Sequence, residues 1–240
     1  MKIKHYVQLV MAILLCSHSD SSYSDFMVTQ TSFGVDLEQP VTKETTLINQ
    51  SDKPVRVRVD FAKPQWAKDQ YYLGDQLVVY PKIVVIPPSG KIQVMIVPRI
   101  KKDLADGEYV ALLVLKELPP LKGTGQVSMP TNIGIPYYGR KGKLKTVIDF
   151  DNLRMVKVEK GYQLKGALIN SGNFSYSLNI IVKFYHNQKL IKKKNFKQGF
   201  YREYLVNLNK SIFMDEDADY VEIVFANKKL NFSNKFNFAI

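Results

Sequence analysis

Short runs of alternating apolar and polar residues, separated by turn-forming residues, follow one another from residue 26 to the end of the chain. The clearest run is 55–61, in which valine or phenylalanine occupies every second position and charged residues lie between them. A two-residue period over such a stretch predicts a strand with one face buried and the other in water. Because no stretch shows a sustained 3.6-residue period, the pattern predicts an all-β fold.

Turn signals between the runs set the ends of the predicted strands. Pro87 and Pro88 end one run, and Pro119 and Pro120 end another, because proline cannot donate to a sheet ladder. Short strands at this spacing are typical of β-sandwiches, so we predict two immunoglobulin-like β-sandwich domains in tandem. The predicted strands are 28–37, 44–49, 55–61, 77–86, 91–97, 107–115, 126–138, 162–169, 175–185, 189–196, 204–208, 221–225 and a last stretch to 238.

Residues 139–143 mark the predicted boundary between the two domains. This segment has two glycines, three cations and no apolar residue, which is typical of an interdomain hinge. Residues 25–140 carry 14 basic and 12 acidic side chains, whereas residues 141–240 carry 18 basic and 9 acidic ones. We therefore predict an N-terminal immunoglobulin-like domain at 25–140 and a more basic C-terminal one at 141–240.

The first 24 residues predict a signal peptide. Lys2 and Lys4 precede a predominantly apolar stretch of 11 residues at 6–16, and small residues suited to cleavage end at Ser24. Eleven residues are too few to cross a hydrocarbon core of about 30 Å. No later stretch is an uninterrupted apolar run of the length a membrane span needs. We therefore expect export and a mature chain without a transmembrane segment.

Cys16, the one cysteine of the chain, leaves a second interpretation of this segment open. Residues 14–17 faintly resemble a lipoprotein cleavage box, although Leu15 stands where a small residue is expected. Lipidation of Cys16 would make the chain a lipid-anchored envelope protein. If the segment is removed instead, the mature chain has no thiol, which excludes thiolate zinc sites and cysteine nucleophiles.

Residues able to carry catalysis are scarce in the predicted mature chain. Its single histidine, His186, lies beside asparagine and glutamine in a predicted turn, and no acidic residue lies close in sequence to orient it. The carboxylates at 215–219 lack the glycine and the ligand spacing of a calcium-binding loop. We therefore predict a protein that is not an enzyme and that uses no cofactor or metal.

Lysines and aromatic residues are interleaved at 189–202. Such a pattern can bind nucleic acid or another anionic surface, but an exported protein rarely meets nucleic acid, so no nucleic-acid partner is expected. The favoured interpretation is a solvated edge hairpin whose lysines oppose pairing with foreign strands. Contact with an anionic membrane or an acidic partner is the alternative.

Residues 80–138 resemble the first domain of the periplasmic pilus (fimbrial) assembly chaperones. The resemblance rests on Pro-Pro-Ser-Gly at 87–90, Asp-Gly-Glu-Tyr at 106–109, the Glu-Leu-Pro-Pro corner at 117–120 and the aromatic pair at 137–138. It implies a non-catalytic chaperone that caps a pilin-like subunit, with an outer-membrane usher as a further partner. An alternative from another class is a structural or adhesive envelope protein built of immunoglobulin-like domains.

The resemblance also gives a role to segment 126–135, in which apolar side chains alternate. In the chaperone family this strand completes an unfinished pilin sandwich by strand addition. By that resemblance the partner-binding residues are Val127, Met129, Thr131, Ile133 and Ile135. From the alternation alone, the same residues could instead face the core of their own domain.

A basic pair that anchors the client's terminal carboxylate in this family has no counterpart here. Segments 29–34 and 131–134 contain no lysine or arginine. Arg140, Lys141 and Lys143 lie at the predicted domain boundary and are the candidate anionic contact, although cations in a hinge are usually solvated.

Overall fold

The computed structural model of the chain describes residues 26–101, 103–119 and 130–240. The predicted signal peptide at 1–24, with Cys16, lies outside these residues, as do Val127 and Met129 of the predicted partner-binding strand. Across the described ranges, no helix has the length and apolar character needed to cross a membrane.

Two packed sheets form the first sandwich. In the described residues its strands are β1 (Phe26–Val28), β2 (Phe33–Asp36), β3 (Lys43–Asn49), β4 (Val55–Ala62), β5 (Leu77–Tyr80), β6 (Ile83–Ile86), β7 (Lys91–Pro98), β8 (Gly107–Leu118) and β9 (Asn132–Lys141). One sheet has the order β1-β3-β7-β5, and the other has the order β2-β9-β8-β4-β6. Short 3-10 turns at Asp69–Tyr71 and Gly74–Gln76 lie between β4 and β5, where no strand is predicted.

The core of the first sandwich follows from the alternation in its strands. Val57 and Val59 of β4 are completely buried, and so are Leu113 and Leu115 of the neighbouring β8. The arginines of β4 lie on the opposite face, which is the outer face of the sheet. The two sheets therefore meet through their apolar faces, as the period of two predicts.

Two of the predicted strands are each divided in the structure. Predicted strand 28–37 corresponds to β1 and β2, which belong to different sheets. Predicted strand 77–86 corresponds to β5 and β6, which also belong to different sheets and are separated at Pro81. Proline has no N–H to donate to a ladder, so the pairing of β5 ends there. Alternation predicts extended backbone but does not show which sheet the backbone joins.

Two further sheets form the second sandwich. In the described residues its strands are β10 (Ile148–Val158), β11 (Gly161–Asn170), β12 (Tyr176–His186), β13 (Lys189–Phe200), β14 (Leu205–Ile212), β15 (Tyr220–Asn227) and β16 (Phe232–Ala239). The orders are β10-β11-β14 and β13-β12-β15-β16. Its core is separate from that of the first sandwich and is rich in aromatic side chains, including Tyr162, Phe184 and Phe225.

Strand β10 was not predicted from the sequence. Its pairing with β11 shifts register between Asp151 and Arg154, so Phe150 and Leu153, which both pack on the core, are three residues apart instead of two. A bulge of this kind adds a residue to one strand and breaks the two-residue period. The pattern that identifies the other strands is therefore interrupted in this one.

The two sandwiches are joined through a buried carboxylate, Glu108 of β8. Its side chain is 2% exposed. The guanidinium of Arg140 donates to Glu108 Oε2 at 2.8 Å, and the backbone N–H of Ser175 donates to Glu108 Oε1 at 3.0 Å. The carboxylate of the first sandwich thus accepts hydrogen bonds from β9 and from the loop before β12.

A second set of contacts beside Glu108 is aromatic and cationic. The guanidinium of Arg202 lies 3.6 Å from the ring centre of Tyr71 and donates to the carbonyl of Glu108 at 2.9 Å. Trp66 stacks on Tyr201 with ring centres 4.6 Å apart.

Residues 139–141, predicted as part of a hinge, are the last residues of β9, so the segment is paired strand instead of irregular linker. The boundary at residue 140 stays a prediction.

Candidate functional site: the free edge of β9

Strand β9 is paired along its whole length on one side but only along its second half on the other. Its antiparallel pairing with β8 runs from Asn132 to Lys141. Its parallel pairing with β2 begins at Tyr137 and ends at Arg140. In the described part of the chain, no strand pairs with the second side of residues 132–136. We call residues 132–136 the free edge of β9.

The side chains of β9 alternate between the core and the outer face of the sheet. Ile133 is half-buried against the core, whereas Ile135 is 1% exposed and lies within it. Asn132 and Gly134 lie on the opposite face and are exposed. Thr131, just before the strand, is half-buried.

Ile135, which the resemblance counts among the partner-binding residues, is buried in the core of its own domain in this structure. It lies outside the pairing of β9 with β2, which begins at Tyr137. Ile133, two residues closer to the start of the strand, is half-buried against the same core. Of the described residues predicted to bind a partner, Thr131 and Ile133 are the ones with accessible surface. The partner-binding roles of Val127, Met129, Thr131, Ile133 and Ile135 stay predictions.

Glu117 fixes the start of the free edge. The Glu117 carboxylate accepts a hydrogen bond from the Thr131 N–H at 2.8 Å, and the Glu117 N–H donates to the Thr131 carbonyl at 2.9 Å. Both backbone groups of Thr131 are therefore occupied. The sequence placed Glu117 in a corner before two prolines but gave no sign that its side chain bonds to Thr131, which is 14 residues away.

A groove of about 450 Å³ lies at the opposite end of the same strand. Its walls come from β2, from the end of β9 and from the segment after each of them, and they include Ser32, Gly34, Asp36, Glu38 and Arg140. No atom outside its chain neighbours lies within 4 Å of a Cβ built on Gly34, so this wall is open. Two carboxylates and one guanidinium give the groove no excess of positive charge.

The cations predicted to contact an anion have different environments. Arg140 is held by Glu108, as described above, and its guanidinium also donates to the Ser175 carbonyl at 3.4 Å. The Lys141 ammonium donates to the Leu104 carbonyl at 2.6 Å. The Lys143 side chain is exposed. Arg140 and Lys141 already have protein acceptors, and the anionic-contact role of all three stays a prediction.

Burial shifts the pKa of two tyrosines on β9. Burial raises the pKa of Tyr137 to about 12, and its hydroxyl has no hydrogen-bond partner among the described residues. Burial and, after it, the charge of Glu108 raise the pKa of Tyr138, which lines the groove. Both phenols are therefore neutral at physiological pH, and they add no charge to this end of the strand.

Glu203 at the junction of the sandwiches has a lowered pKa. Burial acts to raise it, but hydrogen bonds from the Lys68 ammonium and the Tyr71 hydroxyl outweigh burial. The Lys68 ammonium lies 2.7 Å from Glu203 Oε2, and this hydrogen bond raises the pKa of Lys68. The pair joins the loop after β4 to the loop after β13.

Among the described residues, no group of three or more histidine, cysteine, aspartate or glutamate side chains is arranged to hold a metal ion. The predictions that the chain has no metal, no cofactor and no enzymatic activity stay predictions.

Comparisons with known proteins place this geometry in a known fold. No family model matches the sequence, and no curated protein matches it. The class 5 fimbriae chaperone CfaA has a TM-score of 0.54 and 13% identity, covering 89% of this chain and 98% of CfaA. The YadV chaperone has a TM-score of 0.53 and 12% identity, covering 90% of this chain and all of YadV.

A third neighbour comes from a complex. It is the chaperone–tip subunit complex CsuC–CsuE of the archaic Csu pili of Acinetobacter baumannii, with a TM-score of 0.52 and 15% identity, covering 88% of this chain and 97% of the matched chain. Identities this low establish the fold alone. The predictions of an all-β chain with two immunoglobulin-like sandwiches, and of a resemblance to pilus chaperones, are confirmed at the level of fold.

Proposed function

We propose that this chain is a non-catalytic periplasmic chaperone that caps a pilin-like, strand-deficient subunit through the free edge of β9. The observation that carries the proposal is the one-sided pairing of residues 132–136. An unpaired edge presents N–H and C=O groups to another strand, and added strands gain affinity from these main-chain hydrogen bonds.

The side chains beside this edge suit a shared core. A strand added next to residues 132–136 would extend the sheet, and its inward side chains would meet those of Thr131 and Ile133. Ile133 is packed on the core on one side and accessible on the other, so a client side chain can complete its burial. Val127 and Met129, which continue the same alternation, would extend the contact toward the corner at 117–120.

The comparisons support the same function. The neighbours are chaperones of fimbriae or pili, and one of them is seen with a tip subunit. They do not favour the alternative of an adhesive or structural envelope protein. An outer-membrane usher as a further partner, and periplasmic location by a cleaved signal peptide, belong to the proposal.

The test is the double substitution Met129→Asp/Ile133→Asp. The probe is a pilin-like subunit of the same genome that aggregates when it is produced alone, co-expressed with the chain. We expect the unchanged chain to yield a soluble complex on size-exclusion chromatography. The double variant should yield none, because two carboxylates would be buried without partners in the shared core.

Asn132→Asp is the matched control. It adds a carboxylate to the same strand but on the opposite, exposed face, and it should leave capture unchanged. Thermal unfolding of each variant alone checks that the monomer is folded. Capture of the subunit by a folded Met129→Asp/Ile133→Asp variant would show the proposal to be wrong.

A further inference from the structure

Strand β13, in the second sandwich, also has a free edge. It is the terminal strand of its sheet and pairs with β12 from Tyr176–Phe200 to His186–Lys189. No strand of the described ranges pairs with its other side. With 12 residues, this edge is about 40 Å long at the usual rise of a strand.

Lysines crowd this edge. Five of the nine residues from 189 to 197 are lysines: Lys189, Lys192, Lys193, Lys194 and Lys197. Within the described part of the chain, none of them forms an ion pair. Other lysines of the same sandwich do, since Lys183 binds Glu222 and Lys157 binds Asp217, each at 2.7 Å.

The register places these cations on both faces of the sheet. Lys192 lies opposite Phe184, and Lys194 lies opposite Val182. Phe184 and Val182 are completely buried, so Lys192 and Lys194 extend from the core side of the sheet at its rim. Opposed residues in a ladder share a face, so Lys193, which faces Lys183, belongs to the outer face.

Lys193 and Lys183 form a like-charge pair directly across the ladder. Such pairs destabilise a sheet. Lysines on an edge discourage neutral and basic foreign strands, and this strand has five. An anionic partner strand would relieve the repulsion among them.

We propose that the free edge of β13 binds an acidic, extended segment of a partner protein by strand addition. The segment would form main-chain hydrogen bonds with the unpaired side of β13, and its carboxylates would meet lysines above and below the strand. Opposite charges across a ladder stabilise the pairing, and the same lysines reject neutral or basic strands.

The two-sided arrangement favours a strand over a membrane surface. A planar anionic surface lying against the outer face of the sheet would not contact Lys192 and Lys194, which project from the other face. It also disfavours a second copy of this chain, because pairing two β13 edges would bring ten lysines together. The inference concerns the second sandwich and does not depend on the function proposed for β9.

The test uses the full chain and three peptides of about ten residues, a length that fits within β13. The first combines glutamate and valine, and the second has glutamine in place of glutamate. The third is the acidic peptide N-methylated at alternate nitrogens, which keeps its charge and blocks its hydrogen bonds. Fluorescence anisotropy measures Kd, and hydrogen exchange measures protection of the β13 amides.

We expect the acidic peptide alone to bind and to protect the amides of β13. Lys192→Gln/Lys194→Gln and Lys193→Gln/Lys197→Gln should each weaken binding by about tenfold, since each removes two cross-strand charge pairs. Lys228→Gln/Lys229→Gln is the matched control: it removes the same charge from two exposed lysines of the turn before β16, and it should change Kd by less than about twofold.

Three results would overturn the proposal. Equal binding of the N-methylated peptide, or equal loss in the control variant, would mean that charge acts without strand pairing. Binding of phosphatidylglycerol vesicles with the same lysine dependence, with no peptide-induced amide protection, would assign the edge to a membrane. Absence of binding to every probe would mean that the lysines only repel strands.

Discussion

The free edge of β9 and the free edge of β13 present the same unpaired backbone but different side chains. The edge of β9 spans five residues, 132–136, and is bordered on the core side by Ile133. The edge of β13 spans a whole strand and carries lysines on both faces. The first edge offers an incomplete apolar core, and the second offers a row of charges.

The difference shows how one protein can keep the partners of two sheet edges distinct. Main-chain hydrogen bonds are available at both edges and carry no information about sequence. Side chains decide which strand is accepted: apolar residues at β9 and carboxylates at β13, by our proposals. The following changes test this comparison, from the largest expected effect to the smallest.

Comparing Ile135→Ala with Ile133→Ala distinguishes a fully buried residue of β9 from a half-buried one. Removing a fully buried isoleucine side chain should lower the free energy of unfolding by about 3 kcal/mol. Ile133→Ala, at a half-buried position, should cost about 1 kcal/mol, since less apolar surface leaves the core. Urea denaturation measures both values. Equal losses would contradict the difference in burial between these two residues of β9.

Comparing Arg140→Gln with Lys197→Gln distinguishes a cation that pairs with a buried carboxylate from a cation on the edge of β13. The change leaves the Glu108 carboxylate buried with a neutral neighbour, and we expect a loss of about 2 kcal/mol in the free energy of unfolding. Lys197→Gln on β13 should change it by less than about 0.5 kcal/mol. If the two variants were equally stable, Arg140 would be as free as the lysines of β13.

Glu117→Ala tests how the free edge of β9 is held at its start. The Thr131 N–H would lose a charged acceptor, which should cost about 1.5 kcal/mol. Hydrogen exchange at the Thr131 amide should become faster, while the amides of β13 should be unaffected. Unchanged protection of Thr131 would show that the carboxylate does not fix the edge.

Lys193→Glu should act on stability and on binding in opposite directions. It replaces the like-charge pair with Lys183 by an opposite-charge pair, so the free energy of unfolding should rise by about 0.5 kcal/mol. Binding of the acidic peptide to β13 should weaken at the same time. A variant that lost stability and kept its peptide affinity would contradict both the register argument and the role of the edge.

Glu203, at the junction between the sandwiches, should make the free energy of unfolding depend weakly on pH in the acidic range. The pKa of Glu203 is below its usual value of 4.5, so its contribution to stability is present above that pH and is lost as pH falls through the folded-state pKa. Glu203→Gln should therefore flatten the acid side of the stability profile. Thermal unfolding between neutral and acidic pH in both proteins measures this, and identical profiles would contradict it.

Local alternation was enough to predict most of the fold. The strictly alternating run at 55–61 became β4, and the run at 91–97 became β7. The bulge in β10 removed the period on which such a prediction depends. The divisions of 28–37 and 77–86 were missed for another reason: alternation identifies extended backbone, whereas membership of a sheet depends on distant partners.

The candidate site could be predicted only in part, for the same reason. The sequence identified the alternation at 126–135, but the part of β9 that is paired on its second side depends on β2, about 100 residues earlier. The alternation puts Ile133 and Ile135 on the same face and does not show that Ile135 is fully buried whereas Ile133 is half-buried. The bond between Glu117 and Thr131 and the burial of Glu108 under Arg140 likewise join residues far apart in sequence.

The open space at Gly34 has a consequence for how the specificity of this molecule can change. The position lies in a groove wall, and a side chain added there would meet no neighbouring atom at its Cβ. A Gly34→Lys exchange would therefore add an ammonium group beside β9 without repacking the sandwich. The charged side chains of the groove wall would then change from two carboxylates and one guanidinium to two of each sign, so one substitution can remove the excess of negative charge from this wall.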